Sequence, residues 1–358
     1  MTATQELHQR GQSLWLDNIT RRMLDTGQIQ HYIEAYSITG LTSNPSIFDQ
    51  AIETGYYDDA IRAAATRGRT DEDLFFELAI QDLRRAADLF LAIHERTDGV
   101  DGWVSLEVSP LLAYDTDATI RAAKALHARA GRPNLLIKIP GTKEGLPAIT
   151  ECIASGVPVN VTLLFSADHY RAAARAYRDG VQRRVEADRD PAVGSVASVF
   201  MSRWDVAVAD QVPEQLKDQL ALAVGLDTYR AYRRFLDSDA MQRLENAGAR
   251  PQRLLWASTR TKDPAASDTL YVHGLAAPFT VNTMPDATLE AFHDHGEVGD
   301  PMPADGGACD EMLSRFADAG VDVRALADKL QRDGAQAFVT SWKDLLGRIS
   351  AQRAALTT

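Results

Sequence analysis

Short apolar runs rich in β-branched residues alternate along this chain with longer segments of helical period, and that alternation constrains the fold more than any other feature. Strands that alternate with helices belong to βα units around a parallel sheet. Eight runs read as strands: residues 14–19, 37–42, 103–108, 135–139, 157–163, 195–200, 254–258 and 269–275, with 279–283 able to replace or extend the last. Helical patterns fill 71–95, 118–130, 167–187, 213–246 and 323 to about 354. Asp115 to Asp117 and Ser166 stand where an exposed helix end needs a side-chain acceptor. The candidate strands are apolar on both faces except near their C-terminal ends, as parallel strands covered by helices and filled by side chains should be. An α/β barrel is the expectation, and in such barrels catalytic groups come from the C-terminal strand ends and the loops beyond.

A chain of 358 residues fits one such barrel with insertions, so a single domain over 1–358 is expected. With 45% hydrophobic and 25% charged residues, it can bury a sizeable core. The net charge of −12 repels nucleic acid and anionic membranes, so an anionic substrate has to be captured locally. Cys152 and Cys309 are too few for a disulfide framework and suit a reducing cytoplasm. The N-terminus lacks the apolar core of a signal peptide and no later stretch is long enough to span a membrane, so a cytoplasmic enzyme is expected. The loop 293–308, rich in turn residues, reads as a surface excursion rather than a linker.

Three charged residues interrupt apolar strands. Lys138 lies in Leu-Leu-Ile-Lys-Ile-Pro-Gly. An amine among aliphatic side chains tends toward its uncharged form because desolvation disfavours the ion, and the uncharged amine is what attacks a ketone carbonyl. Asp17 in Trp-Leu-Asp-Asn-Ile and Glu107 in Ser-Leu-Glu-Val-Ser repeat the pattern with carboxylates. Each alone reads as a snorkelling or paired residue. Buried charges are costly without partners, however, so three strands that each carry one near the C-terminal end point to a shared site.

Asn44, Asn160 and Thr162 add neutral hydrogen-bonding groups at corresponding places, either to position substrate hydroxyls or to serve turns and backbone carbonyls. Arg203 beyond the sixth strand, and Arg260 with Lys262 beyond the seventh, predict an anion site at the mouth, one unit earlier than the usual barrel phosphate site. No phosphate-binding loop or dinucleotide fingerprint is present, so no nucleotide cofactor is indicated. His293, Asp294, His295 and Glu297 lack metal-ligand spacing, and no metal is expected.

Over nearly its whole length the sequence resembles the transaldolases. Leu-Leu-Ile-Lys-Ile-Pro-Gly-Thr looks like the family's Schiff-base segment. Trp-Leu-Asp-Asn-Ile around Asp17, Thr-Gly-Leu-Thr-Ser-Asn-Pro around Asn44, Ser-Leu-Glu-Val-Ser-Pro around Glu107 and Asn-Val-Thr-Leu-Leu around Thr162 stand in the family's order. The tail from Leu275 is similar to the longer bacterial branch. The resemblance implies a single (β/α)8 TIM barrel with additional helices, related to class I aldolases, acting without a cofactor on sugar phosphates as a monomer or homodimer. It implies that Asn160, Ser198 and Phe200 line the site and that Arg203 and Ser258 bind substrate phosphate, with Arg260 or Lys262 as the second cation.

By the same resemblance, Lys138 attacks the ketose carbonyl and the iminium serves as electron sink. Asp17 exchanges the C4 hydroxyl proton, and Glu107 and Thr162 hold a water that shuttles protons. The donors would be sedoheptulose 7-phosphate or fructose 6-phosphate and the acceptors glyceraldehyde 3-phosphate or erythrose 4-phosphate. An aldolase releasing free dihydroxyacetone, and a sugar-phosphate-binding barrel without turnover, are the competing readings.

Overall fold

The computed structural model describes residues 1–52, 54–65 and 69–357. Eight parallel strands close into a barrel in chain order: β1 Ser13–Leu16, β2 Ile38–Leu41, β3 Val104–Glu107, β4 Leu135–Pro140, β5 Val159–Leu164, β6 Ser195–Phe200, β7 Arg253–Ala257 and β8 Val281–Met284, which returns to β1. Every strand residue is buried, the physical basis of the two-faced apolar pattern in the sequence.

Helices between the strands form the outer layer. The longest before the C-terminus, Asp71–Arg96, starts on Thr70, whose hydroxyl accepts from the Asp73 amide at 3.0 Å. Three acidic residues follow in its first turn and His94 and Arg96 lie in its last, charges that complement the helix dipole. Asp115 and Ser166 do cap the helices Thr116–Ala130 and Ala167–Glu186.

Two expected elements differ. Residues 269–275 are not a strand: Leu270–Gly274 is a short helix, and the eighth strand is Val281–Met284, close to the alternative run 279–283. In the misread segment the buried apolar residues are Tyr271, Val272 and Leu275, a helical rather than alternating spacing. The single helix expected over 213–246 is a short 3₁₀ turn, Glu214–Leu216, followed by the helices Leu220–Leu236 and Asp239–Asn246. Asp218 takes a left-handed backbone (φ 57°), and Ser238 caps a new start by accepting from the Met241 amide. The turn-rich run also begins later than expected, since His293 to His295 end the helix Asp286–His295.

The N-terminal end of the barrel is plugged by a buried polar cluster. Asp101 accepts from Ser13 and, at 2.8 Å, from Trp15 Nε1, while Arg253 donates to Ser13 Oγ at 2.6 Å and lies 3.8 Å from Asp101. The opposite end is crossed by the C-terminal helix Val323–Thr357. Its Gln331 donates to the carbonyls of Gly141 and Leu163 beyond and within the ends of β4 and β5, at 3.2 and 2.9 Å. Farther along, Arg348 pairs with Asp49 at 2.6 Å and Trp342 packs edge-on against Phe75, which anchors the helix across the mouth. Among the described residues, no helix is long and apolar enough to cross a membrane.

Candidate active site at the barrel mouth

Register brings the three charged strand residues together. Glu107 pairs with Lys138 across β3 and β4, and Lys138 pairs with Asn160 across β4 and β5. Neighbours in register on parallel strands point to the same side, here the barrel interior. Lys138 Nζ lies 3.3 Å from Glu107 Oε2 and donates to the Ser43 carbonyl at 3.3 Å. Both residues are buried, at 5% and 6% exposure, so this is an ion pair without solvent to screen it. Burial pushes the Glu107 carboxyl above the ordinary carboxylate range, the Lys138 charge pulls it back in part, and Asp17 raises it further. Apart from Lys138 Nζ, neither Glu107 oxygen has a polar partner among the described residues, so that amine is the neighbour with which the carboxyl can exchange a proton.

Asp17 follows the last residue of β1, its amide donating to the Met284 carbonyl of β8 at 2.8 Å. Its carboxylate accepts from Thr42 Oγ1 at 2.8 Å, and Thr42 is bonded in turn to Thr283 Oγ1 at 2.9 Å. Asp17, Lys138 and Thr162 line one cavity of about 370 Å³, together with Asn44, Ser198, Phe200, Arg203, Ser258, Arg260 and Lys262. Thr162 Oγ1 is fully buried with no hydrogen-bond partner among the described residues, so it does not serve a backbone carbonyl. Asn44 Oδ1 accepts from the Ile47 amide at 3.3 Å, so it opens the helix Pro45–Ile52 as well as facing the cavity.

Two expected wall residues lie lower. Asn160 is fully buried and sits between Ser105, to which it donates at 3.1 Å, and Ser198, from which it accepts at 2.7 Å. It therefore forms a polar layer beneath the cavity and fixes Ser198. Glu107 likewise is not among the lining residues and sits beside Lys138 at the edge of the cavity floor.

The side of the cavity that carries the cations is built on strained backbone. Leu163, in a register shift of β5, and Ser258, just after β7, both have left-handed conformations (φ 59° and 56°) although neither is glycine. Such residues cost ~1–3 kcal/mol each and concentrate at functional sites. Ser258 Oγ meets Ser202 Oγ at 3.0 Å, joining the ends of β6 and β7 next to Arg203. Arg203 stacks its guanidinium over Phe200, 5.4 Å from the ring centre. Burial lowers Arg203 from its ordinary value, and burial with the charges of Arg260 and Arg203 lowers Lys262. Among the described residues, none of these three cations has a carboxylate within ion-pair distance. In a chain of net charge −12, three cations left facing one another mark a place for an anion.

Sequence reasoning missed Thr42 just beyond β2, Thr283 and Pro285, which follow from the correct eighth strand, and Phe338 of the C-terminal helix, which also lines the cavity. His293, stacked on Tyr36 and bonded to Thr4 at 3.0 Å, and the exposed His295, 3.1 Å from Asp268, serve local packing away from this mouth.

A buried amine beside a carboxyl, a second carboxylate on the same cavity and an adjoining cation cluster suit imine chemistry on a phosphorylated carbonyl compound. Comparison with known proteins gives the same direction. Residues 14–349 match the model of the Transaldolase/Fructose-6-phosphate aldolase family. The chain is 44% identical to a transaldolase of Thermobifida fusca over 99% of both chains. It is 44% identical to one of Acidothermus cellulolyticus, over 96% of this chain and 95% of the other. To one of Kocuria rhizophila it is 42% identical over 98% of both. With the amine, the carboxylates and the cations converging at the mouth of an eight-stranded barrel, the chain belongs to the transaldolase/fructose-6-phosphate aldolase family.

Proposed function

We propose that this barrel is a transaldolase that moves a dihydroxyacetone unit from sedoheptulose 7-phosphate or fructose 6-phosphate to glyceraldehyde 3-phosphate or erythrose 4-phosphate, within the non-oxidative pentose phosphate pathway. The observation that carries the reading is Lys138 Nζ, buried 3.3 Å from Glu107 at the floor of the cavity to which Arg203, Arg260 and Lys262 contribute. The names of the relatives favour transfer over simple cleavage.

The phosphate rests on Arg203 and Ser258, with Arg260 or Lys262 as the second cation, and places the ketose carbonyl over Lys138. Lys138 first gives its proton to Glu107, and the uncharged Nζ then attacks C2. With Thr162, Glu107 holds the water that forms as the carbinolamine collapses to the iminium. Asp17 then takes the C4 hydroxyl proton, the C3–C4 bond breaks, and its electrons flow to the iminium nitrogen to give an enamine. The aldose phosphate leaves. An acceptor aldehyde takes its place, the enamine carbon attacks it, and Asp17 returns the proton to the new alkoxide. Water finally hydrolyses the iminium and frees the product ketose. Work in a reducing cytoplasm suits the two cysteines, both free and buried.

The test is a coupled assay of acceptor-dependent exchange between fructose 6-phosphate and erythrose 4-phosphate. Formation of sedoheptulose 7-phosphate in step with glyceraldehyde 3-phosphate is the expected result. Free dihydroxyacetone as the main product with acceptor present would make the protein an aldolase, and tight binding with no exchange would make it a non-catalytic binder.

A further inference from the structure

The C-terminal helix supplies one side chain directly to the reacting centre. Phe338 is 9% exposed, lines the cavity, and holds its ring 5.7 Å from Lys138 Nζ and 6.4 Å from the Phe200 ring. Its position is not adjustable by a loose helix. Gln331, two turns earlier, is bonded to carbonyls at the ends of β4 and β5, and Ser341 accepts from Ser46 at 3.0 Å one turn later. Trp342 is fully buried against Phe75 and Phe76. The ring is thus clamped on both sides over the one amine the reaction uses.

We propose that Phe338 is a specificity-determining residue that sets how the bound three-carbon unit partitions between transfer and hydrolytic loss. This inference rests on the transaldolase reading. After the first aldose leaves, the enamine has two fates. If its C3 attacks the acceptor aldehyde, a carbon–carbon bond forms and the alkoxide takes the Asp17 proton. If C3 instead takes a proton from water, the iminium returns, hydroxide adds to C2, the C–N bond breaks, and dihydroxyacetone leaves with Lys138 restored as the amine. The second route consumes one water overall. An aromatic ring fixed above Nζ removes space for that water and presents its negative face to the iminium cation while acceptor enters from the phosphate side.

The experiment measures free dihydroxyacetone against transferred product from fructose 6-phosphate and erythrose 4-phosphate, with borohydride trapping of the adduct on Lys138 followed by mass spectrometry. For Phe338→Ala we expect a normal adduct and a release-to-transfer ratio raised about tenfold, the effect of admitting water to a formerly closed site. Phe338→Leu, which keeps apolar cover, should return most of the ratio to the parent value. Phe338→Gln, which brings a water-binding amide to the same place, should raise it as alanine does and decides the matter if the alanine variant does not fold. A trapped adduct in every variant with an unchanged ratio would overturn the role of Phe338 alone. No adduct in the parent enzyme would overturn the lysine reading and this inference with it.

Discussion

Lys138 and Glu107 hold each other's charge in a place where neither has water to do so, and each half of the pair is therefore exposed to loss of the other. Replacing Lys138 by methionine keeps the packing but removes the positive charge that pulls the Glu107 carboxyl down against burial and Asp17. The folded-state carboxyl then moves further above its unfolded value. A raised carboxyl contributes its full stability below the unfolded value and loses it as pH rises through the folded one, because the folded state binds the extra proton. Lys138→Met should accordingly be close to the parent in stability at pH 5 and weaker at pH 8. The deficit is bounded by the ~3–5 kcal/mol typical of a broken buried pair. Urea unfolding at the two pH values checks this, and a deficit that stays flat or shrinks with rising pH would contradict the placement of Glu107. These ionisable residues were legible in the sequence because a charge inside an apolar strand has few structural excuses. Asn160 was harder: an inward amide reads alike whether it touches substrate or, as here, two neighbouring serines.

Among the elements, the C-terminal helix shows where the sequence falls silent. Its pattern correctly gives an amphipathic helix, but Phe338 looks like any core aromatic of such a helix until the tertiary path carries it to Lys138. The strands were easier, because burial on both faces leaves a continuous apolar run. The eighth was misplaced where a buried helical turn, Leu270–Gly274, mimics such a run. Gly334 on the C-terminal helix has a further use. A Cβ there would stand 3.2 Å from Arg203 Nη1 and 3.0 Å from Leu163, so the missing side chain leaves room for the Arg203 guanidinium. Gly334→Ala should favour the helix itself by up to ~1 kcal/mol while displacing Arg203. Its signature is a several-fold higher KM for fructose 6-phosphate without loss of thermal stability. An unchanged KM would show that Arg203 has slack or does not meet the phosphate.

For the molecule as a whole, the two barrel ends divide the work. The N-terminal end carries Asp101 and Arg253 as a buried structural plug, and the C-terminal end carries the proposed reaction cavity under its helix. Arg253→Met should leave Asp101 buried with its Ser13, Trp15 and Gly102 donors but no cation beside it, and cost on the order of 3 kcal/mol. The chain that remains folded should keep its turnover, as thermal melts alongside kcat will show. A large fall in kcat with stability intact would mean that the ends are coupled.

The measurement that reaches the central claim most directly is peptide mapping after borohydride reduction in the presence of fructose 6-phosphate. A three-carbon adduct on the peptide bearing Lys138, absent from Lys138→Met, is the predicted result. A reduced adduct on another lysine, or one that survives in the methionine variant, would contradict the account.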